Sequence, residues 1–200
     1  LFSKNKKKYL GTIGDIGCFS LSIPKALTAG QGGFCCTNSK KIYEKLKIIK
    51  TQGMRDVFFS KWNTLGFNFK FNDISASVCY DQFVKYKSVV NRFKKIYKLY
   101  KLGIHNLKIK YLDIDYKNGE FPIYNQVITS NPSKLINFLK KKGIESRPGY
   151  RNLSRAKYAL KSNKNFSNSR YFEKIVILPS GPDQNLKDII KIVKTLNKYK

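Results

Sequence analysis

One lysine of this chain, Lys25, stands in a sequence that could present its amine for covalent chemistry. It follows an apolar run, and Pro24 fixes its own φ and disfavours helical backbone at Ile23, so the backbone that carries Lys25 is stiff. Residues 28–33 (TAGQGG) allow the backbone to approach a ligand closely. Desolvation there would favour the neutral amine that attacks a carbonyl, which suits a Schiff-base lysine. An ordinary surface lysine after a turn would have the same local pattern.

The elements that must position Lys25 follow from the hydrophobic pattern around it. Residues 13–21 predict a short buried strand, residues 22–33 a loop and residues 33–37 a second short strand. Ser39 is a suitable N-cap for the helix that comes next. This alternation of strands and a helix predicts an α/β domain.

The rest of the chain divides at Gly103. Residues 51–71 are irregular, and Asn72 or Asp73 could cap a long helix that runs toward Leu102 with a lysine-rich outer face. After Gly103 the pattern predicts a small α+β unit. Its expected elements are strands near residues 107–111, 124–128 and 175–178, a helix from Asn131-Pro132 to Gly143, and a last helix at about residues 186–197.

The net charge of +28 is the most unusual property of the composition. Only six of the 40 basic residues are arginine, which is the residue that recognises phosphate with a bidentate fork. Lys, Asn, Ile, Tyr and Phe are abundant together and share AT-rich codons, so we interpret most of the charge as codon bias and the rest as a possible basic patch. Lysines beside Tyr86, Tyr97 and Tyr100 leave a nucleic-acid-binding module as an alternative. On a helix, however, Tyr97 and Tyr100 are expected to line the packed face.

Several classes of protein are disfavoured. No run approaches the roughly 18 apolar residues of a membrane-spanning helix, and the first residues lack both Met and the apolar region of a signal peptide. The four cysteines have no CxxC spacing, so we expect no metal site. Cys18, Cys35 and Cys36 lie in apolar runs and are expected to be small core residues of a reduced, cytoplasmic protein.

Four segments resemble, in the same order, the DegT/DnrJ/EryC1/StrS aminotransferases, which are sugar-nucleotide enzymes of the pyridoxal-phosphate fold type I. Each motif alone is weak, but the four together cover nearly the whole chain. They are residues 14–25 with 28–33 (GDIGCFSLSIPK and TAGQGG), 66–76 (GFNFKFNDISA), 143–148 (GIESRP) and 178–182 (LPSGP). The resemblance implies an α/β fold in which residues 1–75 end the large pyridoxal-phosphate domain, residues 76–103 form a connecting helix and residues 104–200 form a small α+β domain.

The resemblance implies a role for each matching residue. Lys25 matches the lysine that binds pyridoxal 5'-phosphate covalently and then moves a proton, and Ser20 matches the serine whose hydroxyl binds the cofactor phosphate. Asn68 matches the asparagine that reaches the cofactor of a partner subunit, because the family's active sites form at a homodimer interface. Weaker candidates for contact with the substrate, which could instead be surface residues, are Gln31, Trp62, Arg147 and Arg151.

The activity that the resemblance implies is amino transfer from glutamate to a nucleotide-linked keto-deoxy sugar, used for surface polysaccharide or amino-sugar biosynthesis. The GQGG and GFNFKF segments favour the perosamine-like branch, in which the substrate is a 4-keto-6-deoxyhexose. Two alternatives keep the fold: a sugar dehydratase, whose relatives carry His in place of the lysine, and a regulatory relative.

The chain departs from the family pattern in residue type and in length. Ser22 stands where many members have His, and Gln31 where many have Glu. The family's upstream half supplies a phosphate-binding turn, an aromatic that stacks on the cofactor ring and the Asp that pairs with its nitrogen, and Asp15 matches a different position. We therefore expect a C-terminal part of a longer enzyme that binds the cofactor poorly and is inactive by itself.

Overall fold

A computed structural model of the chain describes residues 3–56, 58, 61–62, 64–115, 118–158 and 167–200. The first two residues, and residues 57, 59–60 and 63 of the irregular segment, lie outside this part of the chain. The structure divides into two compact units. The first comprises Leu1–Ser88 with Tyr116–Glu120, and the second comprises Val89–Asp115 with Phe121–Lys200.

The first unit contains two small antiparallel sheets and a helix. Strand β1 (Lys4–Asn5) pairs with β2 (Lys8–Tyr9), and β3 (Gly17–Ser20) pairs with β4 (Gly33–Cys36). Helix α1 (Lys40–Lys50) begins after the predicted N-cap Ser39, whose Oγ accepts a hydrogen bond from the Ile42 N–H at 3.4 Å. The two predicted strands and the N-cap are therefore confirmed, whereas the β1–β2 hairpin was not predicted because its lysine-rich sequence lacks apolar alternation.

The expected burial of the cysteines and of strand β3 is wrong for this chain. Cys18 and Cys35 are exposed, Cys36 is half-buried, and Gly17 is the only buried residue of β3. The reason is that side chains of a strand project from the two faces of its sheet, and the burial of β3 and β4 shows that the described residues leave these faces largely uncovered. The Cys18 and Cys35 Sγ atoms lie 3.7 Å apart across the strand pair, and local desolvation together with this contact raises the pKa of Cys35.

A long helix, α2 (Asp73–Gly103), follows the irregular segment as predicted. The Asn72 Oδ1 accepts a hydrogen bond from the Ser75 N–H at 2.8 Å and so caps its first turn. Its residues up to Ser88 belong to the first unit and its later residues to the second. Tyr97 and Tyr100 are buried, which confirms that they line the packed face and leaves neither available for stacking on a nucleic-acid base.

The second unit is a four-stranded antiparallel sheet combined with helices. The strand order is β5 (Lys110–Tyr111), β6 (Asn125–Ile128), β8 (Ile175–Leu178) and β7 (Arg147–Pro148). The helices are α3 (Pro132–Lys140), α4 (Ser167–Tyr171) and α5 (Leu186–Leu196), with short 3-10 turns at Leu153–Arg155 and Phe172–Lys174. The predicted strands and longer helices are confirmed, while β7, α4 and the turns are too short to produce a recognisable period.

The hydrophobic core of the second unit is continuous, and it joins the sheet to three helices. Its fully buried members come from α2, α3, α5, β6 and β8, and each contributes roughly 1.5–3 kcal/mol by leaving water. They are Ile96, Tyr100, Val127, Leu135, Leu139, Val176, Ile189 and Leu196. Among the described residues no helix has the length and apolar character needed to cross a lipid bilayer.

A polar network on α2 links this core to the segment after β5. Both side-chain oxygens of Asp113 accept hydrogen bonds, one from the Tyr97 hydroxyl and one from the Lys101 Nζ at 2.6 Å. The Ile114 N–H donates to the same carboxylate at 2.9 Å. Donation by Lys101, then by Tyr97 and then by Ile114 lowers the pKa of Asp113 to about 2.

This lowered pKa predicts an acid-dependent contribution to stability. A carboxylate whose pKa is lower in the folded than in the unfolded protein stabilises the fold at neutral pH, and that stabilisation is lost as the pH falls from about 4 to about 2. Asp113→Asn should lower the free energy of unfolding by less than about 1 kcal/mol at neutral pH, because the side chain is more than half exposed. Thermal unfolding of variant and wild type should converge near pH 2, and Tyr97→Phe should keep part of the pH dependence. A difference that stays constant with pH would contradict this assignment.

Candidate functional site

Lys25 lies in a tight loop between β3 and β4, and the loop is closed by backbone hydrogen bonds. The Leu21 N–H donates to the Gly32 carbonyl at 2.8 Å, and the Ala29 N–H donates to the Leu21 carbonyl at 2.9 Å. The side chains of Leu21, Ala26 and Ala29 are buried beneath this loop. Apolar burial and paired backbone groups therefore hold the loop in one path.

Thr28 ties the glycine-rich part of the loop to its start. Its Oγ1 donates to the Leu21 carbonyl at 3.2 Å and accepts a hydrogen bond from the Gly30 N–H at 3.0 Å. Thr28 had no predicted role of its own, although a threonine hydroxyl can accept a hydrogen bond from the backbone two residues on and so stabilise a turn. Gly30 and Gly32 have φ of +78° and +131°, which is backbone that favours glycine.

Lys25 itself is exposed on the outside of this loop. Its N–H donates to the Ser22 carbonyl at 3.0 Å, which fixes the backbone in a turn while the side chain extends from the loop. The desolvated environment that sequence analysis expected is not present, because the described residues around the loop leave this side chain exposed. The amine is therefore accessible to a ligand.

Ser20 and Ser22 form a pair of hydroxyls at the start of the loop. Their Oγ atoms lie 3.0 Å apart, and the Ser22 N–H donates to the Ser20 Oγ at 3.3 Å. In the sequence Ser22 was marked only as a departure from the family's His, and because β3 ends at Ser20 no strand alternation indicated this contact. Ser20, the last residue of β3, thus stands at the entrance of the loop that carries Ser22 and Lys25.

Asn68 lies on a segment held against the end of α1. The N–H groups of Phe67 and Phe69 donate to the carbonyls of Ile49 and Lys50 at 2.7 Å and 3.1 Å, and Asn68 forms a bridge with Thr51. The Asn68 side chain is exposed. A residue fixed by its backbone and exposed at its amide can reach a ligand outside its own unit, which is what the resemblance implies for it.

The weaker candidates are all exposed, in both units. Gln31 lies in the Lys25 loop, and Trp62 is 78% exposed in the irregular segment of the first unit. Arg147 and Arg151 belong to the second unit, and the Arg147 Nε lies 3.4 Å from the Glu145 Oε1. Both members of that pair are mostly exposed, so it holds Arg147 weakly and the arginine could exchange it for an anionic ligand. The role of each of these four residues stays a prediction.

The groups of the Lys25 loop fit the pyridoxal 5'-phosphate that the resemblance implies. An accessible primary amine suits the cofactor aldehyde, and the paired hydroxyls of Ser20 and Ser22 suit its phosphate. Gly30 has no atom within 4 Å of an ideal Cβ position, so the backbone of the loop is open to an approaching group at that residue. The amine and the two hydroxyls therefore lie within six residues of one another in sequence, at the end of β3 and in the loop that follows it.

Comparison with known protein families shows which family this chain matches. The model of the DegT/DnrJ/EryC1/StrS aminotransferase family matches residues 1–197. The GDP-perosamine synthase of Escherichia coli O157:H7 is 28% identical over 204 residues, which cover 98% of this chain and 55% of that enzyme. The GDP-perosamine synthase of Vibrio cholerae is also 28% identical, over 94% of this chain and 54% of its own length. The chain therefore spans about half the length of the curated relatives it matches.

Solved structures show the same fold. Helicobacter pylori PseC, an aminotransferase involved in the biosynthesis of pseudoaminic acid, superposes with a TM-score of 0.85 at 20% identity over 98% of this chain and 56% of that chain. The PLP form of the sugar aminotransferase Spr1654 from Streptococcus pneumoniae gives a TM-score of 0.84 at 21% identity, over 98% of this chain and 54% of that one. The predicted fold, the end of the large fold type I domain followed by a small α+β domain, is confirmed, and pyridoxal phosphate is the cofactor of this family.

The backbone of the Lys25 loop predicts a specific cost for adding a side chain at Gly32. An ideal Cβ there would lie 2.7 Å from Phe71 Cε2, and a φ of +131° is one that side chains rarely adopt. Gly32→Ala should lower the free energy of unfolding by about 1–3 kcal/mol, measured by denaturant unfolding. Gly14→Ala is the matched control because no atom lies within 4 Å of its Cβ position. Equal stability of the two variants would show that the loop is not held in this conformation.

Proposed function

Because the chain belongs to the DegT/DnrJ/EryC1/StrS aminotransferase family, we propose that its protein transfers an amino group from glutamate to a nucleotide-linked keto-deoxy sugar. The observation that carries the proposal is the closed loop that presents Lys25 close in sequence to the Ser20–Ser22 pair. Two GDP-perosamine synthases among the relatives support a 4-keto-6-deoxyhexose as the acceptor, in agreement with the GQGG and GFNFKF segments.

Different residues at the loop would contact different parts of the cofactor. When bound, pyridoxal phosphate supplies an aldehyde that takes up an amino group and a ring that withdraws electrons from the reacting carbon. Ser20 donates a hydrogen bond to the phosphate, and Ser22 orients the Ser20 hydroxyl through their 3.0 Å contact. The Lys25 amine would hold the cofactor in the loop, and as a free base it would accept a proton from the reacting carbon and return it.

The remaining candidates bind the cofactor of a second subunit or the substrate. Asn68 reaches the cofactor phosphate of the partner in a homodimer, and its backbone bonds to the end of α1 keep it in position for that contact. Arg147 and Arg151 bind the diphosphate of the nucleotide, because guanidinium groups suit that anion. Gln31 and Trp62 contact the sugar. In this proposal residues 1–75 belong to the cofactor domain and residues 104–200 form the small domain. Residues 76–103 form the helix that connects the two domains.

Activity should depend on Lys25 among the many lysines. In the full-length protein, assayed with pyridoxal phosphate, glutamate and a GDP-linked 4-keto-6-deoxyhexose, Lys25→Ala should lower kcat by at least about 10²–10⁴-fold, because the variant loses the group that moves the proton. The readout is 2-oxoglutarate formation together with the aminated sugar. Lys40→Ala, at the exposed start of α1, is the matched control and should retain activity. Cofactor binding by the wild type without transfer to any keto sugar would count against the proposed reaction.

In the full-length protein, the two serines should differ in their effect on cofactor affinity. Ser20→Ala removes a hydrogen bond to a charged phosphate and should raise the Kd for pyridoxal phosphate by roughly tenfold or more. Ser22→Ala, which removes only the orienting contact, should have a smaller effect. Equilibrium dialysis measures both, and Ser88→Ala, on the exposed side of α2, serves as the control. Unchanged affinity in Ser20→Ala would show that the phosphate binds elsewhere.

A further inference from the structure

The thiols of Cys18 and Cys35 meet across the strand pair of β3 and β4, and the proposed reaction at Lys25 uses neither of them. Their Sγ atoms lie 3.7 Å apart, and both residues are exposed in the part of the chain that the structure describes. They are direct partners in the antiparallel register. Two thiols that touch and are open to small molecules are the arrangement from which a disulfide forms.

The position of this pair in the strand ladder is one at which a disulfide fits. Hydrogen-bonded and non-hydrogen-bonded partners alternate along antiparallel strands, and the side chains are closer at the second kind. The Leu21 N–H donates to the Gly32 carbonyl, so the partners there are of the hydrogen-bonded kind. Three positions along the register, Cys18 and Cys35 are therefore a non-hydrogen-bonded pair. The Cα atoms of such a pair are about 4.5 Å apart, which is within the range found in disulfides.

A neighbouring contact holds the two strands in this register. The rings of Phe19 and Phe34, which are the next pair along, stack with their centroids 4.8 Å apart. They project from the opposite face of the strand pair, because side chains alternate along a strand. The register therefore has support on the face away from the thiols, and the two sulfurs are kept in contact without a covalent bond.

Cys36 provides a comparison within the same strand. It follows Cys35 directly, so its side chain projects from the other face of β4. Its Sγ donates to the Gly11 carbonyl at 3.8 Å, and the residue is half-buried. A thiol that points away from Cys18 cannot form a bond with it unless the backbone moves. The structure thus favours Cys35 over Cys36 as the partner of Cys18.

We propose that Cys18 and Cys35 are a redox-sensitive pair, which hydrogen peroxide converts to a disulfide and a thiol reductant restores. The bond would join the two strands from which the Lys25 loop extends. Ser20 follows Cys18 by two residues on β3 and so lies on the same face. The proposal does not depend on the reaction at Lys25, because it concerns the strands that carry the loop and not the chemistry of the amine.

The oxidation needs hydrogen peroxide and no other reactant. Local desolvation and the contact with Cys18 raise the pKa of Cys35, so Cys35 keeps its proton and Cys18 attacks first. As the Cys18 sulfur bonds to one peroxide oxygen, the O–O bond breaks, a sulfenic acid forms and the other oxygen leaves as water. The Cys35 sulfur then attacks the Cys18 sulfur, the S–O bond breaks and a second water leaves. Two thiols and one peroxide thus give one disulfide and two waters.

Peptide mapping of the full-length protein tests the proposal. Trypsin cleaves after lysine, so Cys18 falls in the peptide of residues 9–25 and Cys35 in the peptide of residues 26–40. After treatment with hydrogen peroxide and alkylation of the remaining thiols, the two peptides should be recovered joined, with a mass lower than their sum by two hydrogens. Dithiothreitol should separate them.

Two serine variants identify the thiols that react. Cys35→Ser should lower the yield of joined peptides by roughly tenfold or more, because the remaining thiol of β4 points away from Cys18. Cys36→Ser is the matched control and should leave the yield unchanged. Circular dichroism checks the fold, and Cys35→Ala replaces the serine variant if that variant fails to fold.

Amide hydrogen exchange measures the effect of the bond on the strands. On oxidation, exchange of the amides of β3 and β4 should slow by roughly tenfold or more in the wild type and in Cys36→Ser, because a link between the strands restricts their separation. The rates in Cys35→Ser should not change with peroxide. Equal slowing in all three proteins would show that the effect does not come from this pair.

Three results of the mapping would overturn the proposal. Joined peptides that persist in Cys35→Ser and disappear in Cys36→Ser would assign the bond to Cys36. Joined peptides found only in a covalent dimer on a non-reducing gel would show that thiols of two molecules had reacted. Recovery of both thiols unchanged, or of Cys18 as a sulfinic acid, at a peroxide concentration that oxidises free glutathione would show that the pair does not form the bond.

Discussion

The hydrogen bond from Leu21 to Gly32 is the constraint on which the candidate site depends. It brings the two ends of a glycine-rich loop together at 2.8 Å, and the apolar side chains of Leu21, Ala26 and Ala29 are buried beneath the loop. Without that closure, the turn at Lys25 would be one conformation among many, and presenting an amine in a fixed place would cost the entropy of ordering the loop. Thr28 adds a second link across the same loop. The glycines allow the backbone angles that the loop needs, and the hydrogen bonds of the backbone and of the Thr28 hydroxyl keep it in that conformation.

Local chemistry made much of the fold predictable from the sequence. The caps at Ser39, Asn72 and Asn131 act through their own side chains within three residues, so they were recognisable without knowledge of the tertiary structure. Burial was harder to predict, because an apolar run shows what a strand can bury and not whether neighbouring strands cover it. Cys18 and Cys35 are the clearest example, since their sequence favours a core and their two-stranded sheet leaves them exposed.

The site was predictable to the extent that its residues are local to one motif. Lys25 was identified from its local sequence and from the resemblance, and Ser20 from the resemblance; the structure places Ser20 at the entrance of the loop that carries Lys25. The contact between Ser20 and Ser22 could not be deduced from a pattern that marked Ser22 only as a departure, because it depends on side-chain rotamers at the loop entrance. The two units also differ in how completely each buries its own apolar side chains. The second has a continuous core, whereas the first leaves many large apolar side chains exposed among its described residues.

The close packing of Gly53 and Gly66 limits which substitutions these two positions can accept during evolution. An ideal Cβ at Gly66 would lie 1.9 Å from the Gly53 nitrogen, and one at Gly53 would lie 2.0 Å from the Thr64 carbonyl oxygen. Glycine codons begin with two guanines, so a genome under pressure toward adenine and thymine tends to lose them. The same mutational pressure would produce the excess of lysine. At Gly53 and Gly66, however, a side chain would collide with the backbone, so glycine is retained there against that pressure.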